Sequence, residues 1–423
     1  MNAFSRRTFL KHAASCAAFT IVPAHVLRSE TAPSNQLTRA LIGFGGIAQS
    51  GNHLGFKDTR LIALCDPDAH RVENGIARAK QNGYGKVFAC KDFREILAMP
   101  DVDIVHICTP PHWHGVMSVM AAEAGKDIWC EKPMTRTIGE GRRVMEAVKA
   151  NNRMFRLNTW FRFMGGFYGF GTDVKPIKKV VENRLLGWPL KAVVGANTGF
   201  SLKFGWSGYT NLTPQPVPDY FDYDLWLGPA PFKPYHPHRT HSTFRGYWDY
   251  DGGGLGDMGQ HYLDPVQYLL EKDTTSPIQV EVDAPLQHPD AVGSFRRITM
   301  TYADGCQIVL DGDDSLKGVP FLEGPKGKLW PRMKSDIPNL ESILQELPDP
   351  APQQTDFVDS CKYRKTFTLN EQNAFRSCTI FNLAIVGMRL GRGFKFDPVK
   401  LCAVNDPAAD RFIYQQMRDQ WAI

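Results

Sequence analysis

Asp257 and His261 stand four residues apart in Gly252-Gly253-Gly254-Leu255-Gly256-Asp257-Met258-Gly259-Gln260-His261, a stretch that runs from a glycine loop into a helix. That spacing puts both side chains on one helix face. A histidine oriented by a carboxylate suits proton abstraction, and the positive end of a helix favours the neutral imidazole that the task needs. Lys132 is the third group, in Glu131-Lys132-Pro133 directly after the apolar run Asp127 to Cys130. Most lysines are merely solvated. One that projects from the end of a buried strand, beside a proline that fixes its backbone, can instead hydrogen-bond a hydroxyl and stabilise alkoxide charge. Base and cation together suit oxidation of a secondary alcohol, in which a proton leaves oxygen and a hydride leaves carbon.

A hydride acceptor has its own signature in Gly43-Phe44-Gly45-Gly46-Ile47-Ala48, which follows the apolar run Ala40 to Gly43 and opens a helix. In such a turn Gly43 permits the tight bend, Gly45 and Gly46 let a pyrophosphate approach the backbone near Ile47, and Ala48 allows close helix packing. The next apolar run ends in Cys65-Asp66-Pro67-Asp68, so Asp66 is placed to accept hydrogen bonds from an adenosine ribose diol and to repel a 2'-phosphate. NAD is expected over NADP. Thr109-Pro110-Pro111-His112-Trp113-His114 ends another run at the same edge, and Thr109, Pro110 and His114, with Glu131 and Lys132, are read as the cofactor-side wall. His236, His238 and His241 lie in a Pro-rich loop without an evident carboxylate partner, so no metal is assigned to them.

Positioning these groups requires alternating strands and helices. Runs at Ala40 to Gly43, Leu61 to Cys65, Ile104 to Cys108 and Asp127 to Cys130 alternate with the helical patterns Ala69 to Lys80, Val116 to Ala124 and Gly139 to Ala150. Continuous apolar strands joined by helices predict a doubly wound α/β sheet. After Trp160 the texture changes. Lys191 to Ala196, Ile278 to Val282, Arg297 to Tyr302 and Gln307 to Leu310 read as strands of a mixed or antiparallel sheet, Phe200 to Tyr250 as long functional loops, and Ala374 to Leu390 as a buried helix.

Composition agrees with a packed enzyme-sized body: 43% of the 423 residues are hydrophobic and 22% charged, without the charge excess of disorder. The formal charge of +5 is concentrated at the start, where Arg6, Arg7, Lys11 and Arg28 face only Glu30, and no basic run of the kind that tracks phosphates follows. Nucleic-acid binding is excluded on that ground. Ser5-Arg6-Arg7-Thr8-Phe9-Leu10-Lys11 and the short apolar stretch Ala13 to Val22 read as a twin-arginine export signal, which predicts a periplasmic protein with no transmembrane segment. Lipid anchoring at Cys16 is disfavoured by the residues before it. None of the nine cysteines falls in a C-x-x-C or metal-like spacing.

Taken together, the twin-arginine start, Gly43 to Ala48, Thr109 to His114, Glu131 to Pro133 and Asp257 to His261 resemble the Gfo/Idh/MocA family of glucose-fructose oxidoreductase and inositol dehydrogenase, in its exported subgroup. Asp222-Tyr223-Asp224-Leu225-Trp226-Leu227-Gly228-Pro229, followed by Trp248, is similar to exported members. The resemblance implies a signal and linker over 1–33, a Rossmann domain over 34–160, and over 161–423 an α+β substrate domain with a large, mostly antiparallel open sheet. In the family that sheet commonly forms subunit interfaces, which leaves a homo-oligomer open without fixing the oligomeric state. Lys132 is implied as the active-site lysine, Asp257 as the substrate-binding and orienting carboxylate, and His261 as the general base, with Trp160 and Arg162 facing the substrate. The segment Asn158-Thr159-Trp160-Phe161-Arg162 keeps the family's arginine but carries aromatic residues where exported relatives often have glutamine. Two activities use this set: net oxidation of a sugar, glycoside or cyclitol hydroxyl, at C3 of a pyranoside, and glycoside cleavage through transient oxidation, elimination, hydration and reduction. A catalytically silent nucleotide-binding scaffold is the third reading, and the joint presence of Lys132, Asp257 and His261 argues against it.

Overall fold

Six strands build the edge on which these groups converge: β1 (Leu37–Ile42), β2 (Thr59–Cys65), β3 (Phe88–Cys90), β4 (Ile104–Ile107), β5 (Asp127–Glu131) and β6 (Phe155–Asn158). The computed structural model describes residues 36–50, 53–56, 58–159, 161–163, 173–199 and 208–423; the twin-arginine start and Trp160 lie outside the described residues. The strands are all parallel, in the order β3-β2-β1-β4-β5-β6. β4 and β5 are buried along their whole length, as parallel strands covered on both faces must be. Strand order reverses between β1 and β4, which opens a crevice beyond their carboxyl ends.

The connecting helices are α1 (Gly46–Ser50), α2 (Ala69–Gln81), α3 (Phe93–Leu97), α4 (Pro111–Glu123) and α5 (Ile138–Ala150). Their starts follow local chemistry. The Asp68 carboxylate caps α2 by accepting from the N–H groups of His70 and Arg71, and the Thr137 hydroxyl caps α5. Helix α4 begins at Pro111, five residues before the apolar periodicity suggests, because a proline in the first helical position needs no donor.

Beyond β6 come α6 (Val174–Glu182), β7 (Lys191–Val194), α7 (Tyr223–Leu227), α8 (Gly253–Leu269), β8 (Gln279–Asp283), β9 (Arg297–Thr301), β10 (Gln307–Asp311), β11 (Leu322–Gly324) and β12 (Gly327–Leu329). The chain ends through α9 (Leu340–Glu346), α10 (Phe357–Tyr363), α11 (Glu371–Leu390), β13 (Phe394–Asp397), β14 (Cys402–Ala403) and α12 (Pro407–Ile413). Eight strands form a second sheet in the order β12-β11-β7-β10-β9-β8-β13-β14, antiparallel except where β7 meets β10. The fold is therefore α/β, a doubly wound parallel sheet followed by an α+β unit with a mostly antiparallel sheet. Helix α11, buried over most of its circumference, touches α5 of the first sheet's layer, α8 and β8. One continuous apolar core results, so α8 and its catalytic-type side chains are held rigidly against the parallel sheet.

Candidate active site at the carboxyl edge of the parallel sheet

Gly43 leaves β1 with φ near +90°, and a Cβ there would stand 2.8 Å from the Cys108 carbonyl oxygen. Only glycine lets β1 turn this close to β4. Beyond it, Gly46 and Ile47 are exposed, leaving backbone open to a phosphate, and Thr109 and Pro110 are half-buried across the crevice. Asp66 is almost wholly buried at the end of β2; its Oδ2 accepts from the Phe44 N–H (2.8 Å) and its Oδ1 from the Asp68 N–H (3.0 Å). A carboxylate offers about four acceptor positions, so two remain for a ribose diol. Burial raises the Asp66 pKa, against the pull of the Arg71 guanidinium at 3.9 Å. These residues fit a dinucleotide: a narrow slot runs between Gly43, Gly45 and Asp66 on one side and Thr109, Pro110 and Trp113 on the other.

Leu225 and Trp226 of α7 line the same slot, although they come from the second half of the chain. Their segment is strapped onto the parallel sheet's edge. The Ala69 N–H donates to the Tyr220 carbonyl and the Asp222 N–H to the Pro67 carbonyl, each at 2.9 Å. His112 Nε2 and Trp113 Nε1 both donate to the Trp226 carbonyl, at 2.9 and 3.0 Å. From the outside, Arg418 donates to the carbonyls of Gly228 (2.6 Å) and Asp224 (2.9 Å) and to the Asp224 carboxylate. An open cleft of about 850 Å³, lined by Asp66, Lys91, Asp222 and Phe232 among others, continues outward from the slot.

At the other end of the edge, the Lys132 ammonium donates to the Asp257 carbonyl (2.6 Å) and to its Oδ1 (3.1 Å). Arg245 Nε reaches the same Oδ1 at 2.8 Å. Burial would raise the Asp257 pKa, but Lys132 and Arg245 outweigh it and hold the carboxyl below its usual range. The junction is fixed by Gln260 of α8, whose Oε1 accepts from the Met134 N–H (2.8 Å) while its Nε2 donates to the Ala374 carbonyl and the Ser377 hydroxyl of α11.

His261 is buried one helical turn beyond Asp257. Its Nδ1 lies 2.6 Å from the Thr159 hydroxyl, and Phe161 stacks on the ring with centroids 4.6 Å apart. Burial, with the Lys132 charge adding to it, pushes its pKa down to about 3, so the imidazole is neutral. The orienting partner expected was Asp257. Thr159 takes that role instead, because Lys132 and Arg245 engage the carboxylate.

Glu131 sits beneath this centre, with its Oε1 accepting from His53 Nε2 (2.6 Å) and Asn158 Nδ2 (2.5 Å) and lying 3.4 Å from His106. Burial opposes ionisation, but the two imidazoles outweigh it and hold the carboxyl well below the usual range. His53, His106, Cys108 and Glu131 bring ligand-type atoms within 4.8 Å of one another. Arg39, wholly buried and 3.4 Å from His106 Nδ1, adds a cation that opposes a divalent ion there. The group is better described as pins: Glu131 ties β5 to Asn158 of β6, and the next residue, Thr159, holds His261.

Further readings change, beginning with Glu131, which was read as cofactor-side wall and is a buried pin beneath it. The Arg162 guanidinium, expected to face substrate, is buried and donates to Asp264 (2.9 and 2.7 Å) and Asp273 (2.8 Å), so it braces α8 against the turn that follows. His114, read as cofactor wall, is fully buried with Nδ1 2.6 Å from the Pro133 carbonyl and Nε2 2.8 Å from that of Thr109. Burial lowers its pKa, so the neutral ring donates to one of them; it clamps the two loops together and presents no surface. Arg245, Thr159, Asn158, His53 and Asp251 were not singled out from sequence. Thr159 and Asp251 adjoin motifs that were, whereas Arg245 and His53 carry no spacing signal.

No helix among the described residues is long and apolar enough to cross a membrane. Levoglucosan dehydrogenase of Pseudarthrobacter phenanthrenivorans is 44% identical over 93 residues, 22% of each chain. D-glucoside 3-dehydrogenase of Escherichia coli is 25% identical over 240 residues, 56% of this chain and 55% of that one. A glycosyl hydrolase family 109 protein of a Shewanella species is 28% identical over 177 residues, 36% of this chain and 39% of that one. The chain thus spans less than two thirds of the length of each of these curated relatives. Residues 37–159 match the family model described as oxidoreductase family, NAD-binding Rossmann fold, and residues 170–423 match that of the oxidoreductase family's C-terminal alpha/beta domain. Matched over both halves, the chain belongs to the Gfo/Idh/MocA oxidoreductase family.

Proposed function

We propose that the protein oxidises a secondary hydroxyl of a sugar, glycoside or cyclitol, at C3 of a pyranoside, using NAD that it keeps bound through the cycle. The observation that carries this reading is the Lys132 ammonium, fixed by Asp257 beside the buried neutral imidazole of His261, on the edge where Gly43 and Asp66 form a dinucleotide slot. Nicotinamide, when bound, supplies the hydride acceptor. Lys132 donates a hydrogen bond to the substrate oxygen and stabilises the charge that grows on it. His261, its Nδ1 held by Thr159, takes the hydroxyl proton. The similarity to a D-glucoside 3-dehydrogenase supports C3.

Retention of the nucleotide is supported by the strap, since Leu225 and Trp226 wall the slot and the strap's backbone is hydrogen-bonded to the sheet edge. The twin-arginine start, with export in the folded state, fits a cofactor loaded before the protein reaches the periplasm. Similarity to glycosyl hydrolase family 109 proteins favours a second reading, in which the 3-keto group acidifies the C2 proton, the aglycone leaves C1, water adds and the hydride returns. An aryl glycoside panel followed by NMR, with catalytic NAD, decides between them. Keto-glycoside that accumulates only when a hydride acceptor is supplied supports net oxidation. Multiple-turnover release of aglycone without an acceptor overturns it.

A further inference from the structure

Asp251 precedes the glycine turn that opens α8, and its carboxyl is folded onto that helix's first turn. Oδ1 accepts from the Gly252 N–H (2.7 Å) and lies against Gly256, where any Cβ would collide with it. Oδ2 is buried without a hydrogen-bond partner, and the residue is 4% exposed. The charges that face it are Asp257 on the same helix, Lys132 from the end of β5 and Arg245 from the preceding segment. Arg136 and Arg389 line the small cavity behind it, with Gln415. Two carboxyls and two cations therefore meet over the substrate side of α8, but only Asp257 has both cations in direct contact. A buried carboxylate with one oxygen unpaired is costly, and the neutral acid relieves that cost.

We propose that Asp251 is a positioning residue that sets the charge of the catalytic cluster. As the neutral acid, it leaves Lys132, Arg245 and Asp257 with one net positive charge beside the substrate oxygen; as the carboxylate, it cancels that charge. Burial, then the Asp257 charge, pushes its pKa up to about 7, with Arg245 pulling the other way, so the change falls in the working range. This inference rests on the reading of the site as an alcohol-oxidising centre.

In the wild type, kcat for alcohol oxidation falls about tenfold as pH rises through Asp251's ionisation, because one unit of charge is lost beside the alkoxide. KM for the nucleotide holds steady, since Asp66 and the strap lie at the other end of the slot. Asp251→Asn keeps the low-pH rate and flattens this limb. Arg245→Gln removes a cation that favours the carboxylate, so the limb moves to higher pH. The folded state also binds this proton more tightly than the unfolded chain. Stability is thus lost as pH rises from the ordinary value of 3.8 to about 7, and the thermal midpoint of Asp251→Asn gains on the wild type across that window and levels off above it.

The deciding experiment is infrared difference titration of the folded protein, run beside the pH–rate profiles. A protonated-carboxyl stretch that disappears near neutral pH in the wild type, is absent from Asp251→Asn and titrates higher in Arg245→Gln is expected. A limb that persists unchanged in Asp251→Asn, or a wild-type band that does not titrate between about pH 5 and 9, overturns the proposal. If the wild type oxidises no alcohol in the panel, the functional reading falls, and the infrared titration still decides whether Asp251 carries the proton.

Discussion

Replacing Lys132 with methionine keeps most of the side-chain volume and removes the ammonium that Asp257 holds in place. Turnover is expected to fall by about a hundredfold or more, since the alkoxide loses its one directly aimed cation. His261→Ala lowers turnover by a similar factor, because a positioned base typically contributes about that much. Equilibrium binding of NAD, followed by fluorescence, stays nearly unchanged in both, and a wild-type rate in either folded variant removes that residue from the mechanism. Asp66→Ala acts at the opposite end of the slot, where it takes away the acceptor for the ribose diol and the charge that repels a 2'-phosphate. It should weaken NAD more than NADP; equal relative affinities contradict the assignment. At this scale the sequence revealed the groups whose motif fixes their place, Lys132 behind a buried strand and Asp257 and His261 on one helix turn. It did not reveal their partners. Thr159, Arg245 and His53 come from loops and strand ends that meet the site only through the fold, and Arg162 was read as substrate-facing from the resemblance, its two carboxylates lying 102 and 111 residues away.

The elements that carry the site are held by a few polar joints between otherwise apolar surfaces. Arg162 is one of these, wholly buried and paired with Asp264 on α8 and Asp273 beyond it. Arg162→Ala should cost about 3–5 kcal/mol, the penalty for leaving buried carboxylates unpaired, and urea unfolding measures it. A loss below 1 kcal/mol would mean that the brace is not what holds α8 in place. The strap gives a kinetic prediction. Arg418→Ala removes the three side-chain bonds that press Asp224 and Gly228 onto the sheet edge, so NADH release in stopped flow should quicken by about tenfold, the effect of losing one to two charge-assisted bonds. An unchanged release rate would detach the strap from cofactor retention. β4 and β5, of four and five residues, were legible because each is buried throughout and lies between helical patterns, and α11 because most of its 20 residues are buried. Short strands that are also partly exposed were not. β3 is three residues long and mostly exposed, and β11 to β14 have no more than four residues each, too few for periodicity to register. The strap's conformation was likewise illegible, since it follows from backbone bonds to Pro67 and Ala69 and not from its own pattern.

For the molecule as a whole, one core runs from the parallel sheet through α11 to the antiparallel sheet, so the nucleotide slot and the proton-handling groups belong to a single packed body. After the first 33 residues the formal charge is near neutral and the sequence holds no basic run of the kind that tracks phosphates. Overall architecture was the most legible level, because alternation of apolar runs and helices dictates a doubly wound sheet whatever the loops do. The site's two ends were legible separately, and their junction through Gln260, Met134 and α11 was not. The central claim is that a hydride passes from a carbohydrate carbon to nicotinamide at the Lys132–His261 end of this edge. Its most direct test is isotopic: the purified protein is incubated with NAD and a methyl glycoside deuterated at C3, and the nucleotide is examined by mass spectrometry. The account predicts one deuterium on the reduced nicotinamide and its loss in Lys132→Met; nucleotide free of deuterium with every C3-labelled pyranoside in the panel would contradict it.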